Sequence, residues 1–379
     1  MNLALSDEQV FLQEAARTAL GRTDTIEAAR EALDGGTLPD LWPVAREAGW
    51  PGLLVSEDRG GAGLGVFDSM LVMSELGRVL APVALLGHLP ATWLLDGADG
   101  PLDLVARLAE GEARAAFMPA RPPDGIHDAW TVEGHRGSRR AALPALAGGT
   151  VSGAVHWVPD AAGADVLVGV ADDAGTARAV LVEAGDPGVA VEAVTRYDAT
   201  RPLGHVQLDG ARATVLQGLA DDAPAGAWYL AQALLAAEAQ GSVEEALQRS
   251  VDYAKERFTF GRPIGSYQAV KHALVEVLRR LENLRSLVYY AGWAGDDKPD
   301  EFPLAASAAR VAAGAAQDYA TRELISVHGG IGATWEHDAP LFFRRAQLAR
   351  RLLAGDGDAA DRVADELLRG TAAAQAIAA

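Results

Sequence analysis

Arg257-Phe-Thr-Phe-Gly-Arg-Pro-Ile-Gly-Ser-Tyr-Gln268 is the stretch whose reading decides the fold. Before it, Leu230, Leu234, Ala237, Val243, Leu247, Val251, Ala254 and Phe258 recur at threes and fours, the period of a helix with one buried face. Gly261-Arg-Pro-Ile-Gly265 breaks that period, because Pro263 has no N–H to donate and its ring disfavours helix at Arg262. Ser266 then offers an N-cap to a second helix carrying Val270, Leu274, Val277, Leu281, Leu284 and Val288. Arg257, Thr259 and Gln268 thus gather at one turn between two long helices. A guanidinium, a hydroxyl and an amide there suit a phosphate with its adjoining sugar or ring. A cation in the last turn of a helix also complements the helix dipole, so spacing alone leaves both readings open.

Working outward, the chain reads as three parts. Residues 1–115 are helical: Ser6-Asp-Glu-Gln has capping chemistry, and Val10, Leu12, Ala15, Ala16 and Leu20 supply an apolar side. The glycine cluster between Gly49 and Gly65 lacks a P-loop lysine and a strand–GxGxxG–helix setting, so it reads as a connector. Behind it, Met70, Val72, Met73, Leu76, Val79 and Leu80 read as core. In residues 116–220 the helical period stops and short apolar runs alternate with turn residues, as in Val151–Val158, Val166–Val170, Ala177–Val182 and Val189–Val194. Residues 221–379 return to helix, with a third long run from Pro303 to His328 whose expected buried side is Leu304, Ala308, Val311, Ala315, Tyr319, Leu324 and Val327. That run stops at Gly329-Gly330, where glycine supplies the positive φ of a helix end.

Composition narrows the chemistry. With 379 residues and a formal charge of −19, the chain holds a large core and argues against a nucleic-acid surface. No cysteine is present, which excludes disulfides, thiolate nucleophiles and thiolate metal sites. No run approaches the ~20 apolar residues of a membrane helix, and the first residues are not those of a signal peptide. A reducing, cytoplasmic home is the expectation. His328, Glu336, His337 and Asp338 do not read as a metal site, since Glu336, His337 and Asp338 are consecutive and their side chains diverge. No Gly-x-Ser-x-Gly elbow supports a serine hydrolase.

Tyr253-Ala-Lys-Glu-Arg-Phe-Thr-Phe-Gly-Arg-Pro-Ile-Gly-Ser-Tyr-Gln-Ala-Val-Lys-His272 closely resembles the flavin-contacting segment of the acyl-CoA dehydrogenase family. His328-Gly-Gly-Ile-Gly-Ala-Thr-Trp-Glu-His-Asp338 resembles the family's second signature, and Trp42 to Pro82, including Ser74-Glu-Leu-Gly-Arg78, resembles its N-terminal domain. The order helices, β-barrel, helices matches as well, so the likeness spans nearly the whole chain. The resemblance implies FAD held at a subunit boundary. It implies contacts from Arg257, Thr259, Phe260, Gln268, Ser326, His328, Gly329, Gly330, Thr334 and Glu336, with Trp157 against the flavin of its own subunit. It also implies an acyl-CoA or other acyl-thioester substrate, an electron-transfer flavoprotein as redox partner, and a homo- or heterotetramer.

Departures fall where the reaction would run. The family's reaction needs a carboxylate at the α-carbon of the thioester, because the α-proton is otherwise too weakly acidic. Its two usual positions correspond here to Ala231 and to Leu352–Ala354, centred on Leu353, and neither holds an acid. Glu238, two turns along the helix from Ala231, is the remaining candidate, with Asp356 and Asp358 just past the other slot. The family's Thr-Glu-Pro-x-x-Gly-Ser loop has no match near Phe117–His127. Pro159 replaces a hydroxyl residue, and Ser326 stands where a Gln usually precedes His-Gly-Gly. The half of the site offered to a neighbour's FAD is therefore better preserved than the half for the chain's own flavin. The reading that follows is a base-lacking subunit completing FAD sites in a heteromer. The alternatives are a self-sufficient dehydrogenase with a displaced carboxylate, and a flavin oxidase or monooxygenase on the same fold.

Overall fold

The computed structural model describes residues 4–134, 140–194 and 196–378. Six helices come first: Asp7–Leu20 (α1), Thr25–Leu33 (α2), Trp42–Glu47 (α3), Val66–Arg78 (α4), Leu85–Gly97 (α5) and Leu102–Ala109 (α6). α1 starts at the expected capping box, with Gln9 N–H donating to Ser6 Oγ at 3.2 Å and Ser6 N–H to Gln9 Oε1 at 3.1 Å. Its buried face is narrower than expected, because Ala16 and Leu20 face the core while Val10 and Ala15 face outward. The glycine cluster before α4 is a connector of two short 3-10 turns, and Met70, Val72, Met73, Leu76 and Leu80 are buried.

Next come Ala115–Met118 (β1), Val132–Glu133 (β2), Arg140–Ala141 (β3), Ala145–Ala147 (β4), Thr150–Pro159 (β5), Val166–Asp173 (β6), Thr176–Glu183 (β7), Val189–Ala193 (β8) and Leu203–Val215 (β9). β6, β4, β5, β9 and β7 pair in that order, and β7 pairs back with β6, so the sheet closes. Closure removes the strand edges that an open sheet would expose. β1 joins β6 in parallel and β8 joins β9 antiparallel. The inner faces of these strands form their own apolar core, with Val151, Leu167, Val180, Val182 and Val206 buried. The β5–β9 register shifts between Val155 and Val158. That irregularity re-aims the chain locally, and Trp157 sits there with φ 59°.

The last part holds Ala223–Glu256 (α7), Phe258–Thr259 (β10), Arg262–Pro263 (β11), Gln268–Asp297 (α8), Phe302–His328 (α9), Ala339–Ala349 (α10) and Gly355–Ala378 (α11). α7 is the central helix and crosses α4 at a glycine-lined contact. A Cβ on Gly77 would lie 1.9 Å from the Glu238 carbonyl oxygen, and one on Gly241 would lie 1.8 Å from that of Ser74. Only glycine permits this approach at either position.

Three local expectations are corrected. Phe258 is not on the buried face of α7: the helix ends at Glu256, and Phe258 is an exposed residue of the β10–β11 hairpin, paired with Pro263. Ser266 does not cap α8, which starts at Gln268 after a 3-10 turn, with Tyr267 at the N-cap position. On α9 Leu324 is buried as expected, but the face turned inward is otherwise led by Ala305, Ala306, Ala309, Ala313, Ala316 and Ala320, while Ala315 is exposed and Leu304, Val311 and Tyr319 are half-buried. Small side chains let α9 lie close to α7, so size is a poor guide to which face turns inward.

Candidate active site

The Arg257 turn projects from the body. Arg257 closes α7, its N–H donating to the Tyr253 carbonyl at 2.8 Å, and β10–β11 then folds back so that Ile264 N–H reaches the Arg257 carbonyl at 2.8 Å. The guanidinium of Arg262 lies 4.1 Å from the Tyr267 ring centroid, and the Tyr267 hydroxyl donates to the Thr259 carbonyl at 3.1 Å. Arg257 and Gln268 are exposed, Thr259 is half-buried, and Phe260 is 97% exposed with φ 51°.

The Gly329–Gly330 segment is tied to this turn through one stacked pair. The His328 ring packs on Tyr253 at 4.1 Å between centroids, and its Nδ1 lies 2.8 Å from the Leu324 carbonyl. Ser326, Gly329, Gly330 and Glu336 are exposed, and Thr334 is half-buried with its hydroxyl on the Ile331 carbonyl at 3.0 Å. Ile331 and Trp335 are also exposed, with Arg344 4.6 Å from the Trp335 ring centroid. Among the described residues, no atom comes within 4 Å of where a Cβ would sit on Gly261, Gly329 or Gly330. The two signature segments therefore form one open surface of backbone, guanidinium and apolar side chains. Asp338 is taken up by Arg30 and Arg249.

Trp157 faces a different place. It lines a cavity of ≈ 600 Å³ with Glu133, Arg140, Arg196, Arg350, Ala354 and Asp358. Its indole Nε1 donates to the Gly134 carbonyl at 3.1 Å, and the Arg196 guanidinium lies 4.5 Å from the ring centroid. Leu353, the centre of one usual base slot, adjoins the same space, and both Leu353 and Ala354 hold left-handed φ values of 53° and 63°. Non-glycine residues rarely adopt that region, and such strain gathers at functional sites. Arg310, fully buried on α9, supports the turn from behind, its Nη2 donating to the Ala349 carbonyl at 2.6 Å and to that of Leu352 at 3.3 Å.

Glu133 was not foreseen from the sequence. It projects from β2 to the base slot and accepts the Ala354 N–H. Burial pushes its carboxyl up to about 7; the Ala354 N–H opposes this, Asp358 adds to it, and Arg310 and Arg140 oppose it. No motif marks it, because its position depends on a contact between residues 221 apart.

Glu238 lies elsewhere, in a buried polar cluster where α7, α10 and the loop before β9 meet. Its two oxygens accept from Arg201 and Arg345 respectively. Arg345 also donates through Nε to Thr200 Oγ1 at 2.8 Å and through Nη2 to the Thr200 carbonyl at 2.8 Å. Burial acts to raise the Glu238 carboxyl, but the Arg201 and Arg345 charges and hydrogen bonds hold it below the usual carboxylate range. Both oxygens are committed, and the arrangement is a clamp between the barrel and the helices. Ala231 is buried in α7. Asp356 and Asp358 pair with Arg350 and Arg140.

A helical layer, a closed barrel and a second helical layer, with an open signature turn on one face and a tryptophan-walled cavity on another, define a flavoprotein-dehydrogenase type of architecture. Comparison with known proteins makes this specific. Residues 6–95 match the model of the acyl-CoA dehydrogenase N-terminal domain and residues 228–359 that of the C-terminal domain. The chain is 31% identical to the acyl-CoA dehydrogenase IpdE2 of Mycobacterium tuberculosis, over 95% of this chain and 98% of that protein. Its structure superposes on a variant of the Tcur3481-Tcur3483 steroid ACAD with a TM-score of 0.83 and 27% identity, covering 97% and 99% of the two chains. It superposes on the ChsE4-ChsE5 complex from Mycobacterium tuberculosis with a TM-score of 0.81 and 25% identity, covering 97% and 99%. The chain belongs to the acyl-CoA dehydrogenase family. Among the described residues, no helix is long and apolar enough to cross a membrane.

Proposed function

We propose that this chain is one subunit of a mixed acyl-CoA dehydrogenase assembly, in which its Arg257 turn and Gly329–Gly330 segment close over FAD held by a related neighbouring subunit. The assembly acts on an acyl-CoA thioester and passes electrons to an electron-transfer flavoprotein. The observation that carries this reading is the open surface itself. Arg257 and Gln268 are exposed, the three glycines face open space, and Phe258, Phe260, Ile331 and Trp335 all expose large apolar area. Exposed apolar area grouped in this way marks an interaction face. Two of the structural neighbours are named as pairs of distinct proteins, Tcur3481-Tcur3483 and ChsE4-ChsE5, which supports a mixed assembly here.

The donor set fits the cofactor. Arg257 would pair with a phosphate, Thr259 and Gln268 would bond to sugar or ring atoms, and the side-chain-free Gly329–Gly330 backbone admits a nucleotide at close range. Bound FAD supplies the redox chemistry, accepting the hydrogen that leaves the β-carbon with its electron pair. The chain's own residues orient it, and the apolar rim of Phe260 and Trp335 excludes water once a neighbour is docked. A second reading, a self-sufficient dehydrogenase, is favoured by the ≈ 600 Å³ cavity beside Trp157, a size suited to a bound small molecule. In that cavity Arg196 covers one face of the indole, so stacking there requires it to move.

Arg257→Ala tests the first reading. FAD content of the mixed assembly should fall while subunit stability is unchanged, since Arg257 is exposed. Full flavin occupancy in the variant would sink the assignment.

A further inference from the structure

We propose that Glu133 is the proton acceptor of this chain's own cavity, taking the α-proton of a bound acyl thioester at the slot where the sequence carries Leu353 instead of an acid. The proposal rests on the acyl-thioester reading above.

The geometry supplies three independent supports. First, Glu133 reaches the slot: its side chain accepts the Ala354 N–H and lines the cavity together with Trp157 and Ala354. Second, the slot is built. Leu353 and Ala354 both hold left-handed backbone, and Arg310 fixes the carbonyls of the preceding residues from a fully buried position. The wall opposite is set by the β5 irregularity that turns Trp157. Third, the neighbouring acids are committed elsewhere. Asp358 pairs with Arg140 and Asp356 with Arg350. Glu133 instead has a backbone amide as its hydrogen-bond partner, which holds the carboxyl in place without a paired cation.

The surrounding charges set the proton affinity. Facing Glu133 or its cavity are Arg121, Arg140, His156, Arg196, Arg310, Arg350, Arg351, Asp356 and Asp358. Burial is the largest influence and outweighs the nearby guanidiniums, leaving the carboxyl at about 7. A general base works best with a pKa near the working pH. In the step itself the α-C–H bond breaks and an O–H bond forms on Glu133. The electron pair stays on the substrate as the thioester enolate, and the proton then exchanges with water.

The test isolates proton transfer from redox chemistry. Phenylacetyl-CoA has an acidified α-carbon and no β-hydrogen. The purified protein, in whatever assembly it forms, is incubated with it in D₂O, and loss of the α-hydrogen signal is followed by NMR. The wild type should catalyse exchange at a rate that rises with pH through about 7, because only the ionised carboxylate accepts a proton. Glu133→Gln keeps an acceptor for the Ala354 N–H and should retain calorimetric binding of the probe, while exchange falls about 10²–10⁴-fold. Glu133→Asp should be intermediate. Exchange at the wild-type rate in Glu133→Gln overturns the proposal, as does a wild type that exchanges nothing or shows no pH dependence. If Glu133→Gln does not fold, the wild-type pH profile decides. A chain that gains FAD with a partner yet exchanges nothing loses only the role of Glu133. One that exchanges but never takes part in an FAD site loses the shared-site reading instead.

Discussion

Replacing Glu238 by Gln removes one negative charge from a place where two guanidiniums depend on it. The Glu238, Arg201 and Arg345 side chains are 4%, 5% and 2% exposed, so solvent cannot replace the lost partner. Breaking a buried ion pair by removing one member costs about 3–5 kcal/mol, because the remaining charge stays desolvated. Asp198, 3.2 Å from Arg345 Nε, retains part of the balance and places the cost towards the lower end. At a urea m-value of about 3 kcal/mol/M, the unfolding midpoint should fall by about 1 M or more.

The pH dependence has a definite sign. The native carboxyl of Glu238 lies below its unfolded value, so it stabilises the fold above about pH 4.3 and loses that contribution as pH falls through the native pKa. The wild type should therefore lose stability in acid more steeply than Glu238→Gln. The assay is urea unfolding followed by circular dichroism at neutral and acid pH. A midpoint within experimental error of the wild type at neutral pH would refute the clamp.

Other perturbations follow from the same contacts. Asp160 is buried with its carboxyl raised to about 6, first by burial, so carrying its charge at neutral pH costs the fold stability. Asp160→Asn keeps the acceptor for the Gly87 N–H and should stabilise by about 1–3 kcal/mol at pH 7, with the gain vanishing in acid. Denaturant midpoints measured across that range check it. Gly241→Ala would drive a Cβ against the Ser74 carbonyl and force α4 from α7, lowering stability by about 1–3 kcal/mol or more in the same measurement. Phe260→Ser should leave the isolated chain's stability within about 0.5 kcal/mol while weakening subunit association in sedimentation, because this ring is exposed.

The two signature segments carry their meaning in short contiguous runs, which is why the fold is legible in the sequence. Glycine, proline and arginine at fixed offsets constrain backbone and charge locally. The α9 face was misjudged because Leu304, Val311 and Tyr319 outweigh alanine in any hydrophobic tally, whereas close helix packing selects alanine. Glu238 looked available because a sequence does not show that Arg201 and Arg345, 37 and 107 residues away, both close on it. Glu133 escaped notice for the converse reason. Its neighbour Ala354 is remote in sequence, and the β2 strand that carries it spans only two residues.

The shared-site account is tested most directly by the flavin spectrum and solution mass of the chain produced alone and together with a related acyl-CoA dehydrogenase subunit. The chain alone should carry little flavin, and the mixed assembly should be yellow and lose its FAD when Arg257 is replaced by Ala. A stoichiometrically flavinated homo-oligomer, formed without any partner and catalytically complete, would contradict it.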